Sequence, residues 1–378
     1  MCQWNRFHNV KEPAGREGRK LAKLPTIADV ARRAGVGKGT ASRVLNGSAQ
    51  VRPATRQRVL DAISELNFRP SGTARNLSRA RRMRGVGVLD SFITTPAFIE
   101  RLRGIQDVVE SADDMSMVLF SCRSLDHLEA QIEAIAASHA VEGLIVVDLP
   151  LADRHLDLLH AAGIAVAGLN CKSSMASPIG PDDTSGGYLA TRHLLELGHR
   201  RIAYVGEVFE DPFGFETSRK RFEGYRRALA EDGIAVDEGL VALGPHGSHT
   251  AFALAGRLLA ARQRPTAIFA MTDVQAIECL SAASERGLSA PDDLSVVGFD
   301  DIEIAAHVGL TTVRQHLRES GRLAAQHLLA VFEADPAPAP GASPLEIVRR
   351  RSSGPPPTRR RSSRTGPRSA RDIHQTTD

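Results

Sequence analysis

No two of the four cysteines, Cys2, Cys122, Cys171 and Cys279, stand close together in this 378-residue chain. There is no C-x-x-C pair and no spacing of Cys and His that suits a metal. Reduced thiols without a role are the expectation, with neither a disulfide framework nor a metal site. Long apolar runs are also missing, and none approaches the roughly 20 residues that a membrane-crossing helix needs. The first twenty residues, MCQWNRFHNVKEPAGREGRK, have no apolar centre, so no secretory signal is expected and a cytoplasmic location is. Enzyme signatures are absent as well. No G-x-G-x-x-G follows an apolar strand, and no P-loop or G-x-S-x-G is present. No catalytic residue, metal or cofactor is therefore assigned.

What is present is charge, unevenly spread. The chain as a whole carries a net charge of +4. Residues 1–84 hold 19 Lys and Arg against 5 Asp and Glu, and residues 349–378 hold 9 against 2. The stretch between them carries 20 against 37. Basic ends on an acidic body suit a protein that offers one end to DNA and repels it elsewhere. A hydrophobic fraction of 42% and this length suit two or three packed domains.

Inside the first basic region, Thr26–Arg79 reads TIADVARRAGVGKGTASRVLNGSAQVRPATRQRVLDAISELNFRPSGTARNLSR. Thr26 can cap a helix, with Asp29 reaching back three residues later. Ile27, Val30, Ala31 and Ala34 then form one apolar helical face. Gly35-Val36-Gly37 breaks that helix in a tight turn. A second helix is predicted from about Lys38 to Asn46, with Ala41, Val44 and Leu45 facing inward. Lys38, Thr40, Ser42, Arg43 and Asn46 face out, with donors, acceptors and positive charge but no acid. Such a face suits a major groove. Pro53 fits the first turn of a third helix, whose expected core stripe is Val59, Leu60, Ile63 and Leu66. After Pro70 comes a short polar segment with one large apolar residue, Leu77.

From Gly85 the texture changes. Apolar runs (Gly85–Leu89, Met117–Phe120, Gly143–Val147, Ile164–Leu169, Ile202–Val205, Ala267–Met271 and Ser295–Phe299) alternate with amphipathic stretches. Continuous apolar strands between helices imply parallel sheets covered on both faces, and there are enough units for two doubly wound lobes. Ligands bind beyond the carboxyl ends of such strands, so a crevice between the lobes is expected.

The motifs TIADVARRAGV, TASRVLN, the spacing T-R-x-R-V-x-x-A-I-x-E-L-N-F-x-P, and A-R-x-L resemble those of LacI/GalR-family transcriptional regulators. DDTSGGYLATRHLLELGHRRIAYVG, SRKRFEGYRRAL, PTAIFAMTDVQAI, LSVVGFDD and LTTVRQHLRESGRLAAQHLL extend the resemblance, which covers about Thr26 to Gly354. It implies an α/β protein with an N-terminal all-α helix-turn-helix domain and a two-lobe periplasmic-binding-protein-like domain built on doubly wound parallel sheets. It also implies a repressor that binds double-stranded, near-palindromic operator DNA as a homodimer. A small molecule between the lobes, most often a sugar or related polyol, would control it. Lys38, Gly39 and Arg43 would then meet bases, and Thr26, Thr40, Ser42 and Asn46 would hold phosphates. Leu77, beside the small Ala74, would wedge into the minor groove. Gly37 stands where the family usually has a serine cap, and Gly39 lies inside the recognition helix, so direct readout would rest on Lys38 and Arg43.

The same resemblance implies effector contacts from Arg221, Asp300, Asn170 and Thr272-Asp273, with His246 near a stacking aromatic's place. Taken alone, Asp300 could cap the turn at Ile302, Arg221 could pair along its helix, and Asp273 could cap the helix from Val274. The expected organisation is an arm over 1–24, the helix-turn-helix over 25–70, a hinge over 71–84, the effector-binding body over 85–354 and an Arg/Pro-rich tail over 355–378. Lobe 1 would take about 85–178 and 314–340, and lobe 2 about 179–313 and 341–354. No leucine heptad follows Gly354, so a dimer is expected. A solute-binding protein for transport would share the body's fold, but not the basic N-terminal domain.

Overall fold

Short local signals build the N-terminal unit. The computed structural model describes residues 25–45, 51–66, 68, 84–112, 115–171, 179–209, 216–245, 248–332 and 344–357. They fall in two units that divide between Met83 and Arg84. In the first, helices α1 (Ile27–Arg33), α2 (Lys38–Leu45) and α3 (Pro53–Glu65) enclose Val30, Ala31, Ala34, Ala41, Val44, Val59, Ala62 and Phe68. The Asp29 carboxylate reaches back to accept from both the Thr26 N–H (2.9 Å) and the Thr26 hydroxyl (2.6 Å). At α2, the Gly37 carbonyl accepts from the N–H groups of Thr40 and Ala41, so backbone does the starting there and no side chain is needed. Pro53 opens α3. Leu60 departs from the expected stripe: it is 45% exposed, and Ala62 takes the buried position beside Val59. The α3 face that meets the other helices is too narrow to include position 60, one residue round from Val59.

The second unit holds two sheets. Sheet one has the order β2-β1-β3-β4, formed by Met115–Ser121, Arg84–Asp90, Gly143–Val147 and Ala165–Leu169, all parallel. Side chains alternate between its two faces. Ile145 and Val147 enter one core with Val86 and Val88, while Leu144 and Val146 enter the other with Leu89. Helices α4 (Pro96–Val109), α5 (Leu125–Ser138), α6 (Asp153–Ala161) and α12 (Leu317–Phe332) accompany it.

Sheet two has the order β10-β9-β8-β7-β5-β6. Its strands are Glu346–Val348, Thr311–Arg314, Ser295–Asp300, Ala267–Ala270, Ile202–Glu207 and Val241–Gly244. Helices α7 (Asp183–Glu196), α8 (Thr217–Glu231), α9 (Ser248–Ala260), α10 (Asp273–Glu285) and α11 (Glu303–Val308) belong to it. Ile268 and Ala270 face one core, Ala267 and Phe269 the other. One pairing departs from the parallel pattern: β10 runs antiparallel to β9. That strand follows α12, which packs on sheet one with Ala324, Ala325 and Leu328 in its core. Among the described residues no helix is long and apolar enough to cross a membrane, and no cluster of His, Cys, Asp or Glu could hold a metal ion.

Candidate functional sites

The outer face of α2 offers Lys38 and Arg43, both exposed, with Thr40 and Ser42 half-buried beside them. Thr26 is exposed at the start of α1. Gly39 is exposed, and a side chain added at Gly37 or Gly39 would meet nothing within 4 Å. The surface is therefore open and rich in donors. Asn46, Ala74 and Leu77 lie outside the described residues.

In the second unit a cavity of about 300 Å³ opens between the carboxyl ends of the two sheets. Strand ends supply its polar groups. Asp90 ends β1, Asp148 follows β3, Asn170 follows β4, and Asp300 ends β8. Three of these hold positive φ, Asp148 and Asn170 at 54° and Asp300 at 127°. Backbone held in such sparsely populated regions clusters at sites where side-chain direction matters.

Two arginines enter from helices, Arg101 on α4 and Arg221 on α8. Each helix is seated by a glycine crossing. A Cβ at Gly187 of α7 would strike the Arg221 backbone, and one at Gly224 of α8 would strike the Thr184 carbonyl. In lobe 1, a Cβ at Gly321 of α12 would strike the Arg101 backbone and one at Gly104 of α4 the Arg318 carbonyl. Only glycine lets these helix pairs approach so closely, and the approach brings each guanidinium to the strand ends.

Arg221 is buried. Its Nε donates to Asp183 at 2.9 Å, its Nη1 to the Met271 carbonyl, and Nη1 lies 3.9 Å from Asp300. The guanidinium carbon sits 3.6 Å from the centre of the Phe299 ring, a cation–π contact. Among the described residues Nη2 has no hydrogen-bond partner, which leaves a donor for a ligand oxygen. Burial pushes the Asp300 carboxyl up to about 6, against the pull of Arg221 and the hydrogen bond from Gln315. Burial likewise raises Asp183, and Arg221 counters it.

In lobe 1, Arg101 pairs with Asp148 and donates to Gln315 at 3.5 Å, while its buried Nε has no hydrogen-bond partner among the described residues. Asn170 donates to the other Asp148 oxygen at 2.6 Å. Gln315 also donates to Asp300, so one amide joins the arginine of lobe 1 to the acid of lobe 2.

Arg221, Asp300 and Asn170 thus meet in one cavity. Asp273 does not reach it. Its carboxylate is turned inward, accepting from the Ile302 N–H at 2.9 Å and from the Thr312 hydroxyl. It fastens the corner between β8 and α11, the task considered for Asp300, while Thr272 caps α10 and lines the cavity instead. Burial, then the Asp300 carboxylate, holds Asp273 well above the usual carboxylate range. His246 lies outside the described residues. Sequence reading missed Asp90, Arg101, Asp148 and Gln315. Asp90 and Asp148 each end an apolar run, as Asp300 does, and that shared signal could have found them.

Residues 26–71 match the family described as bacterial regulatory proteins, lacI family, and residues 191–353 match the periplasmic binding protein-like domain. The HTH-type transcriptional repressor PurR of Vibrio campbellii (strain ATCC BAA-1116) is 34% identical over 315 residues, covering 81% of this chain and 91% of that protein. The chain belongs to the LacI family. Two solved structures of LacI-family regulators extend the likeness over nearly all of the chain. The transcriptional regulator CelR–cellobiose complex is 30% identical, with a TM-score of 0.61, and covers 87% of this chain and 100% of its own. The lac repressor dimer bound to operator and the anti-inducer ONPF is 25% identical, with a TM-score of 0.66, and covers 88% and 100%. As a LacI-family member this protein is a transcriptional regulator and not an enzyme.

Proposed function

We propose that this LacI-family regulator is a homodimeric repressor of a near-palindromic operator, released or fixed there by a sugar or related polyol in the cleft. One observation carries the ligand half of this reading. Arg221, Asp300, Asn170 and Asp148 come from separate elements of two lobes and meet around one cavity. Paired donors and acceptors at strand ends suit vicinal hydroxyls. The similar CelR structure is a complex with cellobiose, which supports a sugar, and the similar lac repressor dimer is bound to operator, which supports the DNA half. On the DNA side, Lys38 and Arg43 read bases in the major groove, while Thr26, Thr40, Ser42 and Asn46 hold phosphates. Leu77, with Ala74 beside it, opens the minor groove between half-sites.

The two lobes are the bistable element. Ligand that contacts Asp148 and Asn170 in lobe 1 and Arg221 and Asp300 in lobe 2 favours one lobe arrangement over another. Its differential affinity sets how far the operator equilibrium moves. Asp300→Ala tests the reading. The variant should bind operator while losing its response to ligand, measured by fluorescence anisotropy on operator DNA across a ligand titration. A normal dose–response in that variant would remove Asp300 from the site.

A further inference from the structure

The charges around the cavity do not balance. Asp148 is matched by Arg101. Asp183 and Asp300 share Arg221. Asp90 makes no ion pair among the described residues, although it is 1% exposed and lines the cavity. Its Oδ1 accepts from the Phe92 N–H at 2.9 Å, and a backbone hydrogen bond from Ser91 also favours the ionised form. Arg101 is the nearest candidate to neutralise it, but Asp148 and Gln315 hold the ends of that guanidinium. Four carboxylates, Asp90, Asp148, Glu207 and Asp300, thus line one small cavity, with Asp183 behind Arg221, against two guanidiniums. A buried carboxylate is costly unless a cation or several donors meet it. No cation among the described residues pairs with Asp90, which lines the cavity.

We propose that the cleft selects a polyhydroxylated amine, with the ligand's ammonium group on Asp90 and its hydroxyls on Asp148, Asn170, Arg221 and Asp300. The proposal rests on the reading of the cavity as the effector site and narrows its ligand to the amine-bearing members of the polyol class. An amino sugar has the right size, places one cation among several hydroxyls, and supplies the charge that the cavity lacks.

The state of Asp90 agrees with this. Burial, then the neighbouring Asp148, pushes its carboxyl up to about 7. The other titratable groups acting on it or sensing it are Arg101, which works in the opposite direction, and the thiols of Cys122 and Cys171, both pushed up by burial. An ammonium ligand needs Asp90 ionised and its own amine protonated, so its affinity should rise as pH climbs toward about 7 and fall again once the ligand's amine loses its proton. A neutral polyol accepting a hydrogen bond from protonated Asp90 would show the reverse.

Matched pairs give the test: glucosamine against glucose, and galactosamine against galactose. Each is titrated into the full-length protein by calorimetry, with operator anisotropy as a second readout. At least one amino member should bind more tightly than its hydroxyl twin, by roughly thirtyfold or more if the pair with Asp90 is desolvated. In Asp90→Asn the two members should bind alike, with the melting temperature confirming a folded protein. In Arg221→Lys both should weaken together. A hydroxyl member that binds as well as its amino twin and shifts operator affinity would overturn the amine proposal and leave the ligand-controlled repressor standing. An amino preference that survives Asp90→Asn would overturn the assignment to Asp90. Failure of all four sugars to bind at millimolar concentration would overturn the proposal too, while operator binding measured in the same protein judges the repressor reading separately.

Discussion

The two candidate sites of this protein treat their charged side chains in opposite ways. On α2 the two basic side chains stand exposed, and Lys38 and Arg43 make no hydrogen bond or ion pair with other described residues. In the cleft they are buried and spent largely on one another, Arg221 on Asp183 and Arg101 on Asp148. An exposed donor contributes nothing until its partner arrives, so its loss is felt in binding alone. A buried ion pair is part of the fold, so its loss is felt in stability and ligand response together. DNA supplies its own dense, fixed charge, and a small ligand does not. The cleft therefore has to hold its charges ready.

Arg221→Ala should produce the largest effect. It leaves Asp183 and Asp300 buried without their cation and should cost about 3–5 kcal/mol of stability, read by urea denaturation. A loss below about 1 kcal/mol would mean that these charges behave as surface pairs, and the contrast between the sites would dissolve.

Asp90→Asn sharpens the contrast, because Asp90 is a buried cleft acid that makes no ion pair among the described residues. The unfolded chain ionises Asp90 near its ordinary 3.8, the folded chain only at about 7. Between those values the folded state holds the extra proton. The stability this brings is complete below 3.8 and is lost as pH rises through about 7. The variant should therefore melt like the parent at about pH 4 and above it at about pH 8. Equal melting at both would show that the carboxylate is satisfied in a way its surroundings do not suggest.

On the other side of the comparison, Arg43→Ala should leave melting unchanged and weaken operator binding by about 1–3 kcal/mol if the guanidinium grips a base. Equal loss on operator and random DNA would make Arg43 a phosphate contact. Gly39→Ala is expected to be the smallest change. The new methyl meets nothing, and helix propensity favours alanine by about 1 kcal/mol, so the N-terminal unit should melt higher. A lower melting point would show that α2 depends on the glycine for its shape.

The sequence made the periodic parts of the molecule legible. The helix-turn-helix, the strands from Gly85 to Phe299 and the major helices follow from apolar spacing, because burial imposes that spacing locally. Arg221 and Asp300 were reached through a resemblance, and the structure brings them to one cavity. What stayed hidden were the partners. Nothing near Arg101 announces that a helix from more than 200 residues later will press it against Asp148, or that Gln315 will span the lobes. Gly104 and Gly321 carry that information, but a helical glycine looks the same whether it makes a crossing or merely tolerates a gap. Leu60 and Asp273 misled for the same reason. A stripe one residue too wide, or an acid three residues past a strand end, cannot be told from a functional one without the third dimension.

The most direct test of ligand-controlled operator binding is fluorescence anisotropy on DNA from the gene's own upstream region, across a salt series, with a random duplex of equal length alongside. Binding to the upstream DNA should be tighter by roughly 10³-fold or more, with that affinity changed by a cleft ligand. Equal, weak and steeply salt-dependent binding to both duplexes, unchanged by any sugar, would mean that charge alone is at work and would contradict the repressor reading.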